Sequence, residues 1–188
     1  YVQATRGVGM RGHAYRFAGG TPSLWIWVKP DMLDPMDRSY KAITMEDTRY
    51  FHCDIKTINL LPAVIYTQRA EEAGCDETIL HRGDRVNVHI LKDGALKTAP
   101  CDNLILPGIT RAHRIAQCRE MGIPVIEEPF TVREMMEADE AFFTSASALC
   151  CRIEEIDGQK VGGRAPELIA RIQKAAWDEA LAEVRQIN

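Results

Sequence analysis

The stretch that most constrains this chain is residues 51–62, Phe51-His52-Cys53-Asp54-Ile55-Lys56-Thr57-Ile58-Asn59-Leu60-Leu61-Pro62. Before it, residues 40–44 read as a strand. After it, Leu61, Val64, Ile65 and Ala70 recur at helical spacing over residues 60–73. Pro62 sits in the first turn, where a missing N–H costs nothing, and Gly74 follows the last turn. Lys56 is therefore held in a connection between a strand and a helix, flanked by the apolar Ile55 and Ile58. Partial desolvation there would favour the neutral amine, which can attack a carbonyl and hold it as a Schiff base. The same position suits a surface lysine whose stem lies on the protein while its ammonium reaches water, and position alone leaves both readings open.

Bulk properties remove several classes. The 188 residues suffice for one domain, or one domain and part of another. A net charge of −4 and a pI of about 5.8 supply no basic surface, so no nucleic-acid partner is expected. The apolar run at residues 24–28 is strand-length, so no membrane partner is expected. No signal-peptide pattern stands in the sequence, and a cytoplasmic location is expected. Six cysteines (53, 75, 101, 118, 150 and 151) contain no C-x-x-C pair and fit neither a disulfide framework nor a zinc site. The vicinal Cys150-Cys151 is expected to be two reduced thiols, and no zinc site built from His52, Cys53 and that pair is expected.

Residues 1–6 alternate like a strand, and Gly7, Gly9 and Gly12 let the following loop bend so that Arg11 and His13 stand together. Two such side chains are either solvated cations or a carboxylate clamp, since the guanidinium offers a planar fork of donors. Residues 23–28 read as a strand. The two prolines and three charges of residues 29–35 read as a linker, and residues 40–45 open a second domain. Strands are predicted at 78–80, 87–91 and 95–98, with Lys92-Asp93-Gly94 as a turn. An apolar strand is predicted to end at Pro107-Gly108. A helix then opens near Thr110 and runs to Met121, with Gly122 past its end. Helix-start N–H groups can bind phosphate, although most bind only water. Residues 125–127 read as a strand, Thr131 to Glu134 as a capping box, and 141–143 as a buried strand. The small and hydroxyl residues 144–148 form either a plain turn or one whose amides approach an anion. A strand at 151–156, a turn at Asp157-Gly158 and a helix over 167–184 close the chain.

The segment Cys53-Asp54-Ile55-Lys56-Thr57-Ile58-Asn59-Leu60-Leu61 resembles the cofactor-lysine segment of the D-amino-acid aminotransferases. These are pyridoxal 5'-phosphate (PLP) enzymes of fold type IV, a group that also holds branched-chain aminotransferases and aminodeoxychorismate lyase. The resemblance runs over residues 1–176. It implies the two-domain α/β (α+β) architecture of fold type IV, with the small N-terminal domain only partly present. Residues 1–30 would end that domain, 31–36 would link, and 37–188 would form the large PLP-binding domain. Lys56 would carry the cofactor as a Schiff base and then move a proton as general base and acid. Leu106 would pack on the cofactor ring. Ile109, Thr110, Ser145 and Ala146 would hold its phosphate, with Ala146 standing where threonine is usual. Arg11-Gly12-His13 matches an Arg-x-His that binds the substrate α-carboxylate across a homodimer.

The implied reaction is transamination between a D-amino acid and a 2-oxo acid. Arg11-Gly12-His13 argues against the two alternatives on this fold, an L-branched-chain aminotransferase and an aminodeoxychorismate lyase. A non-catalytic cofactor-binding relative is the alternative from another class. Between the counterparts of Val86 and Asn87 the resembled enzymes have a loop with a glutamate that pairs with the pyridine nitrogen. Here Val86 runs straight into Asn87, and no candidate for that role is present. The resembled enzymes also have an arginine and a tyrosine of the site before the counterpart of Tyr1. The expectation is therefore that these 188 residues, 21.1 kDa, are not the whole polypeptide.

Overall fold

In the first of two compact units, Tyr1–Met32, the alternating residues of β1 (Val2–Thr5) pair antiparallel with β2 (Ser23–Ile26), Val2 opposite Ile26 and Thr5 opposite Ser23. The computed structural model describes residues 1–10, 12–14, 21–30, 32–83 and 85–187. Gly7 takes φ +87°, and a Cβ there would lie 1.9 Å from the Thr21 carbonyl oxygen, so only glycine can make this bend.

The second unit, Leu33–Asn188, is a mixed sheet with helices packed on it. β3 (Tyr40–Glu46) crosses through α1 (Leu61–Glu72) to β4 (Glu77–Arg82), which runs parallel to it. β5 (Arg85–Val86) turns back on β4. β6 (His89–Lys92) and β7 (Ala95–Thr98) form a hairpin whose turn is Asp93-Gly94, both at positive φ. β7 crosses through α2 (Ile109–Glu120) to the parallel β8 (Val125–Glu127). α3 (Val132–Met136) starts on the expected capping box, with Thr131 Oγ1 accepting from Glu134 N and Thr131 N donating to the Glu134 carboxylate. β9 (Glu140–Phe143) and β10 (Cys151–Ile156) are antiparallel, β11 (Gln159–Lys160) folds onto β10, and α4 (Pro166–Ile187) closes the chain. The order across the sheet is β5-β4-β3-β10-β9-β6-β7-β8.

Period-two alternation sends neighbouring strand residues to two cores. Ile90 and Ala141 join Phe130 and Met135 on one side, and Leu91 and Phe142 join Ile115 of α2 and Ile169, Ile172 and Ala176 of α4 on the other. Both faces of the central strands are therefore dry, as a sheet covered by helices requires.

Three sequence expectations differ from the structure. Of the expected stripe on α1, Ala70 is buried but Leu61, Val64 and Ile65 are exposed, and Tyr66 is buried in their place. Residues 104–106 are not a strand, because the chain leaves β7 and must travel to the start of α2 as coil. The strand expected at 87–91 begins only at His89, since Asn87 N still donates to Leu80 O of β4 at 3.1 Å before the chain crosses to β9.

Candidate active site

β7 and β9 end, and β6 begins, at one end of the second unit's sheet, His89 lying opposite both Thr98 and Phe142. A cavity of about 770 Å³ opens there, walled by the loop after β3, the β5–β6 junction, the start of α2 and the turn between β9 and β10. Six of the sequence-predicted site residues line it: Lys56, Leu106, Ile109, Thr110, Ser145 and Ala146. Arg11 lies outside the described residues. His13 is an exposed residue of the first unit, and the described residues lining the cavity belong to the second.

Lys56 is exposed in this chain, as are its neighbours Ile55 (56%) and Ile58 (58%). The expected apolar cover over the amine is thus not made, because both isoleucines face outward.

α2 opens on the cavity with unsatisfied N–H groups. Its N-cap, Gly108, offers no side-chain cap, and no acidic residue stands in the first turn, so the positive end of the helix is unopposed. Thr110 Oγ1 donates to Ser145 O at 2.8 Å and ties the helix start to the β9–β10 turn. That turn is fixed from within: Ser145 Oγ accepts from Ala148 N at 3.0 Å and Ser147 N at 3.3 Å, and Ser147 Oγ donates to the Asp34 carboxylate at 2.7 Å. Two backbone segments able to hold an anion therefore face one space.

The charge of the lining agrees. Arg49, Lys56 and Arg111 supply cations, and no carboxylate is among the described residues that line the cavity. Arg49 donates Nε and Nη2 to Asp47, each at 2.9 Å, and Arg82 donates to the Asp47 and Arg49 carbonyls while stacking on Phe51. Burial by itself would raise the Asp47 carboxyl, but the Arg49 hydrogen bonds and the charges of Arg49 and Arg82 hold it below the usual range. Arg111 is buried and donates Nη2 to Ala99 O and Glu127 Oε2, both at 2.8 Å.

The lining residues that were not singled out from the sequence as site residues include Arg49, Asn87, His89, Arg111 and Thr144. Asn87 Nδ2 donates weakly to Leu104 O at 3.4 Å, and no donor among the described residues reaches its buried Oδ1. His89 is 4% exposed and stacks on Phe142 at 4.8 Å between ring centres, with Nε2 3.1 Å from Thr144 Oγ1. Burial, assisted by the nearby Arg111 charge, pushes its pKa down to about 3, so the ring is neutral at physiological pH. A histidine inside the apolar run Val88-His89-Ile90-Leu91 was the available signal for it.

All six cysteines are free. Among the described residues, one grouping has metal-ligand types close together, His113, Glu179 and Glu183, and it does not include His52 or Cys53. Glu179 already pairs with Arg114. No helix is long and apolar enough to cross a membrane among the described residues.

The chain is similar to known proteins both in sequence and in fold. The chain is 38% identical over 192 residues to the D-alanine aminotransferase of Bacillus licheniformis, covering 97% of this chain and 68% of the relative. It is 45% identical over 133 residues to a D-alanine aminotransferase of Listeria monocytogenes, covering 66% of this chain and 46% of the relative. It thus spans between about half and two thirds of the curated relatives it matches. The structure of the fold IV transaminase CpuTA1 from Curtobacterium pusillum superposes with a TM-score of 0.79 at 20% identity, over 97% of this chain and 64% of that one, and establishes the shared fold. The Amino-transferase class IV family matches residues 1–156. The chain belongs to the class IV aminotransferases.

Proposed function

We propose that this chain carries the cofactor-binding part of a PLP-dependent aminotransferase that exchanges an amino group between a D-amino acid and a 2-oxo acid. The observation that carries this reading is the shared cavity. A lysine, an uncapped helix start, a tied serine turn and an excess of cations line it, with no carboxylate among its described residues. That lining fits a planar aldehyde bearing a phosphate dianion. The amines and amides suit the anion, and Leu106 offers the apolar side chain that would face the ring.

PLP, when bound, supplies an electron sink that stabilises negative charge at the substrate Cα. The chain supplies position and proton traffic. Lys56 Nζ would hold the cofactor covalently, be displaced by the substrate amine, and then take and return the proton at Cα. The amides of Ile109, Thr110 and Ala146 would anchor the phosphate, with the Thr110 side chain tying the helix start to the turn that Ser145 shapes. Arg49, held by Asp47, and Arg111 would add positive potential at the wall. The family's ring-nitrogen glutamate has no carboxylate counterpart in the lining. Asn87 Oδ1 is the acceptor left unpartnered there.

Arg11 and His13 would bind the substrate carboxylate, and that pairing favours the D-amino-acid activity over L-specific and lyase alternatives. The exposed apolar residues Ile58, Leu61, Val64 and Ile65 suit a second copy of the chain, which supports a homodimer. A cytoplasmic location completes the reading.

Reductive trapping of bound PLP followed by peptide mass spectrometry should mark Lys56. An assay of D- and L-alanine with 2-oxoglutarate should show turnover of the D form. Lys56→Ala should lose the mark and several orders of magnitude in rate. Near-normal rates in Lys56→Ala, or a mark on another lysine, would remove Lys56 from the reaction.

A further inference from the structure

The β9–β10 turn lacks one hydroxyl, because Ala146 stands where the resembled enzymes have threonine. Three of the neighbouring hydroxyls are committed as donors. Thr110 donates to Ser145 O, Ser147 donates to Asp34, and Thr98 donates to Val88 O. Thr144 differs. It is half-buried, lines the cavity one residue before Ser145, and bonds His89 Nε2.

The direction of that bond follows from the other ring nitrogen. No partner among the described residues reaches His89 Nδ1, which is buried. A proton on Nδ1 would leave an orphaned buried N–H, a rare and costly state, whereas a bare lone pair is tolerated more readily. The proton therefore sits on Nε2 and is donated to Thr144 Oγ1, which leaves the Thr144 hydrogen to point elsewhere. The ring cannot swing away, since it stacks on Phe142 and its backbone is fixed between β7 and β9.

We propose that Thr144, oriented by His89, is a phosphate-binding hydroxyl: the buried imidazole occupies the Thr144 oxygen and turns its proton into the cavity beside the Ser145–Ala146 turn. This rests on the reading that the cavity takes a phosphate monoester. His89 is then a positioning residue that acts through Thr144, and the pair restores the donor that Ala146 removes. The neutral imidazole suits the role, because it carries a single N–H, which the unpartnered Nδ1 leaves to Nε2.

Affinities of the purified protein for inorganic phosphate, PLP and pyridoxal, which lacks the phosphate, test this. Thr144→Val should weaken phosphate and PLP about tenfold, the usual effect of one hydrogen bond to a charged group, and leave pyridoxal unchanged. Thr144→Ser should keep parental affinity. His89→Phe should weaken phosphate several-fold in the parent and not at all in the Thr144→Val background, an additivity failure that a general packing role does not produce. Unchanged phosphate affinity in Thr144→Val, an equal loss for pyridoxal, or a persisting His89→Phe loss in the Thr144→Val background would overturn the proposal. If PLP marks Lys56 while Thr144→Val costs nothing, this inference alone falls. If phosphate binding depends on Thr144 but no PLP is taken up, the cofactor reading falls and this one stands.

Discussion

Lowering the pH from about 7.5 to about 5.5 should destabilise this protein through His89. Its imidazole is buried with a pKa of about 3, against an ordinary value of 6.5 in the unfolded chain. The charged group facing it is Arg111 of α2, which further disfavours protonation, and its strand partners Thr98 and Phe142 carry no charge. Because the folded pKa is depressed, the unfolded chain takes up the proton first. The stability is complete above the unfolded value and is lost as the pH falls below it. For one such group the loss between those two pH values is roughly 1.4 kcal/mol, equivalent to roughly 3–6 °C in Tm for a chain of this size. Urea unfolding at the two pH values measures it in the parent and in His89→Phe, which keeps an aromatic ring against Phe142 and cannot titrate. The parent should lose roughly 1.4 kcal/mol more than the variant over that interval. Identical losses would mean that His89 is protonated in the folded state, and both its burial and its tautomer would have to be reassigned.

Asp47→Asn should cost about 2–3 kcal/mol in thermal unfolding, because it leaves Arg49 and Arg82 without their shared carboxylate. It should also weaken inorganic phosphate binding, since Arg49 lines the cavity. Glu179→Ala should cost about 3 kcal/mol or more, read by urea unfolding. Glu179 accepts from Arg114, which is 1% exposed, from His113 at 2.8 Å and from Gln117 at 3.1 Å, tying α2 to α4. Arg11→Ala should raise KM for D-alanine about tenfold or more with the fold intact, by loss of a charge-assisted contact to the substrate carboxylate. An unchanged KM would assign the carboxylate to other residues.

What the sequence determined by itself was local. The Lys56 segment, the Thr131–Glu134 capping box, the Asp157-Gly158 turn and the Gly122 helix end are all read over a few residues, and each reflects backbone chemistry that acts over that range. The family resemblance is equally contained in such a run, so six of the residues lining the cavity could be named before the fold was known. What only the tertiary structure decided depends on which segments meet. Leu61, Val64, Ile65 and Ala70 have helical spacing, but spacing does not say which face the rest of the chain covers, and here only Ala70 of the four is buried, with Tyr66 beside it. Residues 104–106 are apolar enough for a strand, yet β7 takes β8 as its parallel partner and leaves them as coil at the cavity wall. Pairing of β3 with β10, more than a hundred residues apart, brings the two ends of the second unit into one sheet, and no local pattern announces it. The same holds for the bond between His89 and Thr144. A polar side chain in an apolar strand has meaning only once its cross-strand neighbours are known, because burial and partner, not residue type, set its protonation and direction.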